Sequence, residues 1–508
     1  MRALLSVSDK RNIVSFAKSL IDLGFEIIAT GGTKKVLDEN NIKTTYIEEV
    51  TGFPEILDGR VKTLHPKIHG ALLAKRDNPS HMAALKELNI DLIDVLCVNL
   101  YPFKETIKNP DVTLAEATEQ IDIGGPSMLR SAAKNNKSVY AVCDPDDYDK
   151  VIEHLKNKED DEAFRLELAA KVFAHTASYD IAIANFLAGV TKNDTNLFIE
   201  GKKIENLRYG ENPHQKATFY RTTDNEPFSL ANAKFLQGKE LSYNNIQDAN
   251  AALMITSEFS EPFVVGLKHM NPCGAAIGKD NLEAWQKAYN ADPVSIFGGI
   301  VCTNREVTEE LALAMKPVFL EVLIAPSYTE GARKVLAKKK NLRVIELDMT
   351  HINTLKQYTS VHGGLLVQDE DINTTLEVTK DMVVTNSTVN EVLLSDLNFA
   401  WKIVKHTKSN AIILASGGKT CGIGAGQMNR IGSLEIAYNE AKSFKHTDNL
   451  VLASDGFFPF DDCVTFASQI GVKAIVQPGG SIRDEDSIKK ANENNIPMLF
   501  TKRRHFKH

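Results

Sequence analysis

Apolar residues in the first 190 positions alternate between short continuous runs and stretches with helical spacing. "RALLSV" reads as a buried strand, and Ser8 just after it as an N-cap. Ile13, Phe16, Ala17, Leu20 and Ile21 follow at i, i+3, i+4, i+7 and i+8, one face of a helix that Gly24 ends. "FEIIA" is the next strand, and "TGGTKKVLDENN" turns through glycines into a second helix. "TTYIE", "IDVLCVNL" and "SVYAVCD" predict further strands, and "DEAFRLELAAKVFAHTASYDIAIANFLAGV" a long closing helix. This βαβα rhythm predicts a mostly parallel sheet covered by helices, with ligands at the carboxyl ends of the strands.

The pattern then breaks. "TKNDTNLFIEGKKIENL" is polar and weakly periodic, which places a boundary near residues 190 to 205 and predicts domains 1–198 and 199–508. In the second, strand-like runs ("PFVVGL", "AIILAS", "NLVLAS", "KAIVQP") again mix with helical stretches, predicting two similar α/β subdomains. No repeat of fixed period is legible. Composition sharpens the picture modestly. The 508 residues are 43% hydrophobic and 25% charged, the balance of a globular protein, with a formal net charge of −7. Nucleic acid is an unfavoured partner for such a chain, and an anionic substrate must be caught by local donors. No apolar span approaches membrane length, and six cysteines without paired spacing read as reduced core thiols, so a cytoplasmic setting is expected.

Several segments carry candidate chemistry. In "ATGGTKK", Gly31 and Gly32 expose backbone at a helix start and Thr33 offers a hydroxyl; the alternative is a plain connector. "SVSDK" adds Ser6, Ser8 and Lys10, and "GRVKTLHPKIHG" adds Arg60, Lys62, Thr63, His65 and Lys67; together these resemble a phosphate pocket. Tyr101 ends a strand, Asp122 precedes Gly124 and Gly125, and Lys134 lies about two and a half turns into the next helix. A Tyr, an Asp and a Lys near a phosphate can move protons without a metal.

In "GLKHMNPCGAA", Lys268 and His269 precede "NPCG", which reads as a turn. A zinc deaminase would have Pro-Cys-x-x-Cys and His-x-Glu. Here Ala276 holds the second Cys position and Asn271 lies two beyond His269, so no zinc is expected. Lys268 and His269 are left as acid–base or electrostatic groups: His269 to take an amine proton, Lys268 to lower its pKa and stabilise an oxyanion. "GGKTCGIGAGQMNR" fits neither nucleotide-loop fingerprint, because Ile413 and Gln427 stand where glycines are required. It reads as a backbone-exposing turn, with Gln427, Asn429 and Arg430 beyond it as possible ligand contacts.

Taken in order, "SVSDK", "ATGGT", "GRVKTLHP", "NLYPF", "QIDIGG" and "AAKN" resemble the cyclohydrolase domain of the PurH family of bifunctional purine-biosynthesis enzymes. "LRYGENPHQKA", "LSYNN", "KHMNPCGAA", "SIFGG", "GIGAGQ", "SDGFFPF" and "RHFKH" resemble its transformylase domain; residues 305–400 carry no motif over. The resemblance implies a methylglyoxal-synthase-like first domain, a cytidine-deaminase-like second region and a homodimer. It implies formyl transfer from 10-formyltetrahydrofolate, a co-substrate and not a bound cofactor, to AICAR, then closure of formyl-AICAR to IMP with loss of water. It makes Lys268, His269 and Asn410 the formyl-transfer residues, with Arg208, Tyr209, Gly298, Phe458, Arg504 and Phe506 as substrate contacts. Lys62, Tyr101, Asp122 and Lys134 match the cyclohydrolase set, and Ser6, Ser8, Lys10, Gly32, Thr33, Arg60 and Thr63 its substrate pocket. A regulatory nucleotide-phosphate-binding protein without turnover is the alternative from another class.

Overall fold

A computed structural model of the chain describes residues 1–157, 161–192, 195–222, 226–349, 355–371 and 377–508. These form two compact units, Met1–Glu200 and Gly201–His508. Among them no helix is long and apolar enough to cross a membrane.

The first unit is built on β1 (Arg2–Val7), β2 (Glu26–Ala29), β3 (Thr45–Tyr46), β4 (Val95–Asn99) and β5 (Tyr140–Val142). They pair in the order β3-β2-β1-β4-β5, every pair parallel. The chain winds outward from β1 through β2 and β3, then crosses to β4 on the other side. The crevice between the carboxyl ends of β1 and β4 is therefore a topological switch point, where such sheets bind ligands.

Three local expectations need correction. The first helix, Ile13–Asp22, is capped by Asn12 in the left-handed region, and the Ser8 N–H instead donates to Asn99. Ile13, Phe16, Ala17 and Leu20 are buried as the spacing requires, but Ile21 is 40% exposed at the edge of that face. "TTYIE" gives only the two residues of β3, because the Glu49 carboxylate caps the Tyr46 N–H at 3.0 Å and starts a helix over Ile47–Thr51. The long helix runs over Glu162–Thr191, and its buried Tyr179 accepts the Asp122 N–H at 2.9 Å while donating to the Gln120 carbonyl at 2.8 Å. One end of the candidate site is thus tied to the unit's longest helix.

In the second unit, β6 (Lys202–Leu207) and β7 (Ala217–Arg221) form a ribbon of their own. Next come β8 (Lys234–Gln237), β9 (Phe263–Lys268), β10 (Asn271–Ile277), β11 (Gly299–Thr303), β12 (Leu320–Ala325) and β13 (Arg343–Glu346). A second ribbon, β14 (Lys356–Val361) with β15 (Gly364–Asp369), precedes β16 (Ile412–Ser416), β17 (Lys419–Gly424), β18 (Val451–Ser454), β19 (Ala474–Gln477) and β20 (Met498–Phe500). All but the two ribbons join one eleven-stranded mixed sheet, ordered β20-β19-β18-β16-β17-β10-β9-β11-β12-β13-β8.

That order contains the same motif twice. In each half a helix (Tyr243–Thr256 or Glu391–Lys405) leads into a tight hairpin, β9–β10 or β16–β17. A further helix and an antiparallel strand follow, then two more strands, each parallel to the one before. The halves meet between β10 and β17. "NPCG" is accordingly not a turn but the start of β10, and "KTCGIG" is β17. At Gly422 a Cβ would come within 1.8 Å of the Ala437 carbonyl, so only glycine lets the helix Arg430–Ser443 lie this close to the sheet.

Candidate functional site

At the first unit's switch point a cavity of about 680 Å³ opens. Ser6, Ser8, Lys10, Gly32, Thr33, Arg60, Lys62, Thr63, Tyr101 and Asp122 all line it, so the structure gathers ten residues drawn from five separate segments. The helix Gly31–Glu39 begins at its wall. The Lys62 and Lys10 ammonium groups lie 3.8 and 3.9 Å from where Cβ atoms of Gly31 and Gly32 would sit. Two ammonium groups over a helix N-terminus make a site for an anion.

Each donor is held. Lys10 donates to the Val7 carbonyl, and burial depresses its pKa. Thr33 spends its hydroxyl on the end of β1, accepting the Val7 N–H at 2.9 Å and donating to its carbonyl at 3.1 Å. Lys62 pairs with Glu55 at 3.0 Å, and Arg60 pairs with Glu119. An incoming anion therefore competes with two carboxylates for these cations.

Asp122 faces the donors. Burial raises its pKa, while N–H groups of Gly125, at 2.8 Å, and of Tyr101 act in the opposite direction. A Cβ on Gly125 would lie 2.5 Å from the Asp122 carboxylate, so this bond exists only because residue 125 is glycine. A carboxyl group poised this way, in a cavity also lined by the 46%-exposed Tyr101, can exchange protons with a bound molecule.

Sequence reasoning missed Asn99, which takes the N–H groups of Ser8 and Asp9 on its side-chain oxygen and donates to the Asp9 carbonyl at 3.2 Å. It laces β1 to β4 across the switch point, and the polar end of "VLCVN" was its signal. Lys134, by contrast, is not at this cavity. It is the exposed last residue of the helix Gly124–Lys134, about 15 Å of helical rise from the end that lines the wall.

In the second unit Lys268 ends β9, and its ammonium group donates to the Phe297 carbonyl at 3.1 Å. Gly298 follows that carbonyl and donates to Phe319 at 2.7 Å. His269 and Met270 form the two-residue turn into β10, with φ of 52° and 63°. The His269 ring is exposed. Cys273 is buried two residues into β10, donates to the Gly266 carbonyl at 3.3 Å and is pushed up to about 12 by burial. Among the described residues no three His, Cys, Asp or Glu side chains gather as a metal site.

The Asn271 carboxamide joins this hairpin to the segment bearing Asn410 by accepting the Lys408 N–H at 2.9 Å. Asn410 donates to the Gln427 carbonyl at 2.8 Å and accepts from Arg430 at 2.8 Å. Arg430, which N-terminates its helix behind Asn429, also pairs with the fully buried Asp455. A cavity of about 400 Å³ opens here, lined by Asn410, Arg430, Phe457, Phe460 and Phe506 among others.

The chain end is docked against this wall. Lys507 donates its N–H to the Ser409 hydroxyl at 3.1 Å and its ammonium to the His406 carbonyl at 2.9 Å, and its own carbonyl accepts the Ser409 N–H at 2.9 Å. Burial, with Lys408 nearby, lowers the Lys507 pKa to about 8. The Arg504 guanidinium covers the Phe506 ring at 4.6 Å.

Two expectations change. Phe458 is wholly buried in the core beneath this wall, and in the irregular segment after β18 its neighbours Phe457 and Phe460 line the cavity instead. Arg208 and Tyr209 lie in the segment after β6, 5.6 Å from guanidinium to ring, and neither lines the cavity.

A cavity lined by anion-binding donors together with Asp122 and Tyr101 in one α/β unit, and an aromatic cavity whose Asn410 segment is tied by Asn271 to the Lys268–His269 hairpin in the other, make this an α/β protein with two candidate small-molecule sites. A family model described as the AICARFT/IMPCHase bienzyme matches residues 132–440, and one described as the MGS-like domain matches residues 12–127. The chain is 55% identical to the bifunctional purine biosynthesis protein PurH of Bacillus cytotoxicus, covering 100% of this chain and 99% of that one. It is 57% identical to the protein of the same name from Anoxybacillus flavithermus, over 100% and 99% of the two chains. A solved structure described as the crystal structure of ForH is 38% identical over 37% of this chain and 97% of its own, with a TM-score of 0.35. The chain belongs to the AICARFT/IMPCHase bienzyme family.

Proposed function

We propose that this chain is a bifunctional enzyme of purine biosynthesis, an AICAR transformylase and an IMP cyclohydrolase. Family membership over the full length supports the pair of activities. The observation that carries the division of labour is the cavity at the β1–β4 switch point, which gathers phosphate donors and a proton-exchanging pair in the first unit alone.

In the transformylase step the 5-amino group of AICAR attacks the formyl carbon of 10-formyltetrahydrofolate. The new C–N bond forms, the bond from formyl carbon to the folate nitrogen breaks, and the amine proton leaves. His269, exposed at the turn, accepts that proton. Lys268, anchored on the Phe297 carbonyl, stabilises the oxyanion, and the departing folate nitrogen takes up a proton, the equivalent of the one His269 accepted, so that tetrahydrofolate is released. Asn410 steadies the transferring group, and Arg504 with Phe506 holds the nucleotide.

In the cyclohydrolase step the carboxamide nitrogen of formyl-AICAR attacks its own formyl carbon, and water is lost. Because the attack is intramolecular, positioning carries much of the rate. Lys10, Lys62, Arg60 and the start of the helix Gly31–Glu39 hold the phosphate, while Asp122 and Tyr101 exchange protons. Neither step uses a bound metal or cofactor.

The working form is a cytoplasmic homodimer. Lys134, Arg208 and Tyr209 stand away from the cavities of a single chain, the placement expected of residues that complete a site in a second copy.

The test is turnover. With AICAR and 10-formyltetrahydrofolate the protein produces IMP and tetrahydrofolate, in the presence or absence of chelator. His269→Ala lowers formyl transfer by roughly a hundredfold or more and leaves cyclisation of supplied formyl-AICAR intact. Binding of AICAR without turnover in the wild-type protein would instead make it a regulatory nucleotide-binding protein.

A further inference from the structure

The duplicated motif of the second unit supplies an internal comparison for the Lys268–His269 turn. Both hairpins, β9–β10 and β16–β17, close through two residues with positive φ: His269 and Met270 at 52° and 63°, Gly417 and Gly418 at 60° and 68°. This is the turn whose twist matches the flanking strands, and it favours glycine at both positions. The second hairpin has the glycines. The first has a histidine and a methionine, side chains that rarely adopt this conformation.

One feature is shared. Asp396, on the helix preceding β16, accepts the N–H groups of Gly417 at 2.9 Å and Gly418 at 2.7 Å. Asp248, on the helix preceding β9, accepts the N–H of Met270 at 2.6 Å and that of His269. The offset that carries Asp248 to Asp396 also carries His269 to Gly417 and Cys273 to Cys421. Where glycine makes the turn cheap, the aspartate adds to a conformation already favoured. Where histidine and methionine make it, the two N–H groups have the aspartate as their acceptor, and an extended alternative would swing the His269 ring away from Lys268.

We infer that Asp248 is the positioning residue of the formyl-transfer site: its carboxylate clamps both turn N–H groups and so holds His269 in the left-handed conformation from which its imidazole meets the attacking amine. Asp248 touches no substrate in this role. It acts through the backbone of His269. The inference rests on the transformylase reading given above.

Three substitutions and a control test it in the full-length protein. Asp248→Ala removes both acceptors and lowers kcat for formyl transfer by about tenfold or more, with KM for AICAR within about twofold. Asp248→Asn keeps a side-chain oxygen facing the two N–H groups and retains kcat within about threefold. Asp248→Ala combined with Met270→Gly, which restores a residue at ease with positive φ, recovers a substantial part of the lost kcat. Asp396→Ala, the same change at the glycine turn, lowers Tm but leaves kcat at 25 °C unchanged. Full activity in Asp248→Ala, alongside an inactive His269→Ala, would overturn the inference and leave the transformylase reading standing. Equal loss in Asp248→Ala and Asp248→Asn would overturn it too, since the charge and not the clamped turn would then matter. An active His269→Ala would instead bring down the transformylase reading itself.

Discussion

Deleting Phe506, Lys507 and His508 tests whether the end of the chain belongs to the transformylase site. These residues look like the close of a frayed basic tail, "RRHFKH", yet Lys507 makes three hydrogen bonds to the segment that carries Asn410. At roughly 1 kcal/mol net for each bond, truncation withdraws about 3 kcal/mol from the ordered state of residues 406–410. That corresponds to a loss on the order of 100-fold in the equilibrium constant for holding the segment that carries Asn410 in place. It also removes the Phe506 ring from the cavity wall. Stopped-flow measurement of tetrahydrofolate release, run beside cyclisation of supplied formyl-AICAR, separates the two activities. Formyl transfer falls by two orders of magnitude and cyclisation stays at its original rate. The reasoning is refuted if the truncated protein transfers formyl groups within about twofold of the intact chain, for then neither the tail bonds nor Phe506 contribute to the site.

Other outcomes follow from single residues. Burial raises the Glu440 carboxyl to about 7, and its proton is shared with Asp292. The folded protein therefore keeps a proton that the unfolded chain releases near pH 4.5, so this group's contribution is fully present below that pH and is lost as pH rises through 7. Glu440→Gln, which supplies the amide hydrogen permanently, removes that decline, of up to about 3 kcal/mol, and raises the second unit's Tm at pH 8; a wild-type decline that persisted in the variant would contradict the assignment. Gly422→Ala drives a Cβ into the Ala437 carbonyl and costs at least about 3 kcal/mol, read as a lower denaturant midpoint, whereas an unchanged midpoint would mean that the helix can shift freely. A fragment of residues 1–200, which includes the Lys104–Glu200 ion pair at 2.9 Å, folds and cyclises formyl-AICAR; a folded fragment without activity would place part of that site elsewhere.

The sequence by itself determined the longer strands of the first unit and most of its pocket, though not Asn99 or the distance of Lys134 from it. "RALLSV", "FEIIA" and "IDVLCVNL" are apolar on both faces because a parallel sheet covered by helices buries both. The donors that follow each strand must then converge at the carboxyl edge. What the sequence left open depended on partners far away along the chain. Ser8 looks like a cap, but its N–H is claimed by Asn99 from another strand, and the helix waits for Asn12. "NPCG" looks like a turn, but cross-strand pairing with β9 extends it, and a carboxylate from the preceding helix sets the turn two residues earlier. Phe457, Phe458 and Phe460 are alike in composition, and only the packing of the helix Asp462–Gln469 against the sheet decides which of them is core. Two similar subdomains were expected in the second unit, but their element-by-element correspondence was not legible in its sequence. Its halves share a path through space and a few residues such as Cys273–Gly274 and Cys421–Gly422, while most positions diverged. Backbone hydrogen bonding and close packing preserve a fold through changes that erase its periodicity in sequence, so tertiary structure alone could reveal that the glycine turn Gly417–Gly418 has its twin in His269–Met270.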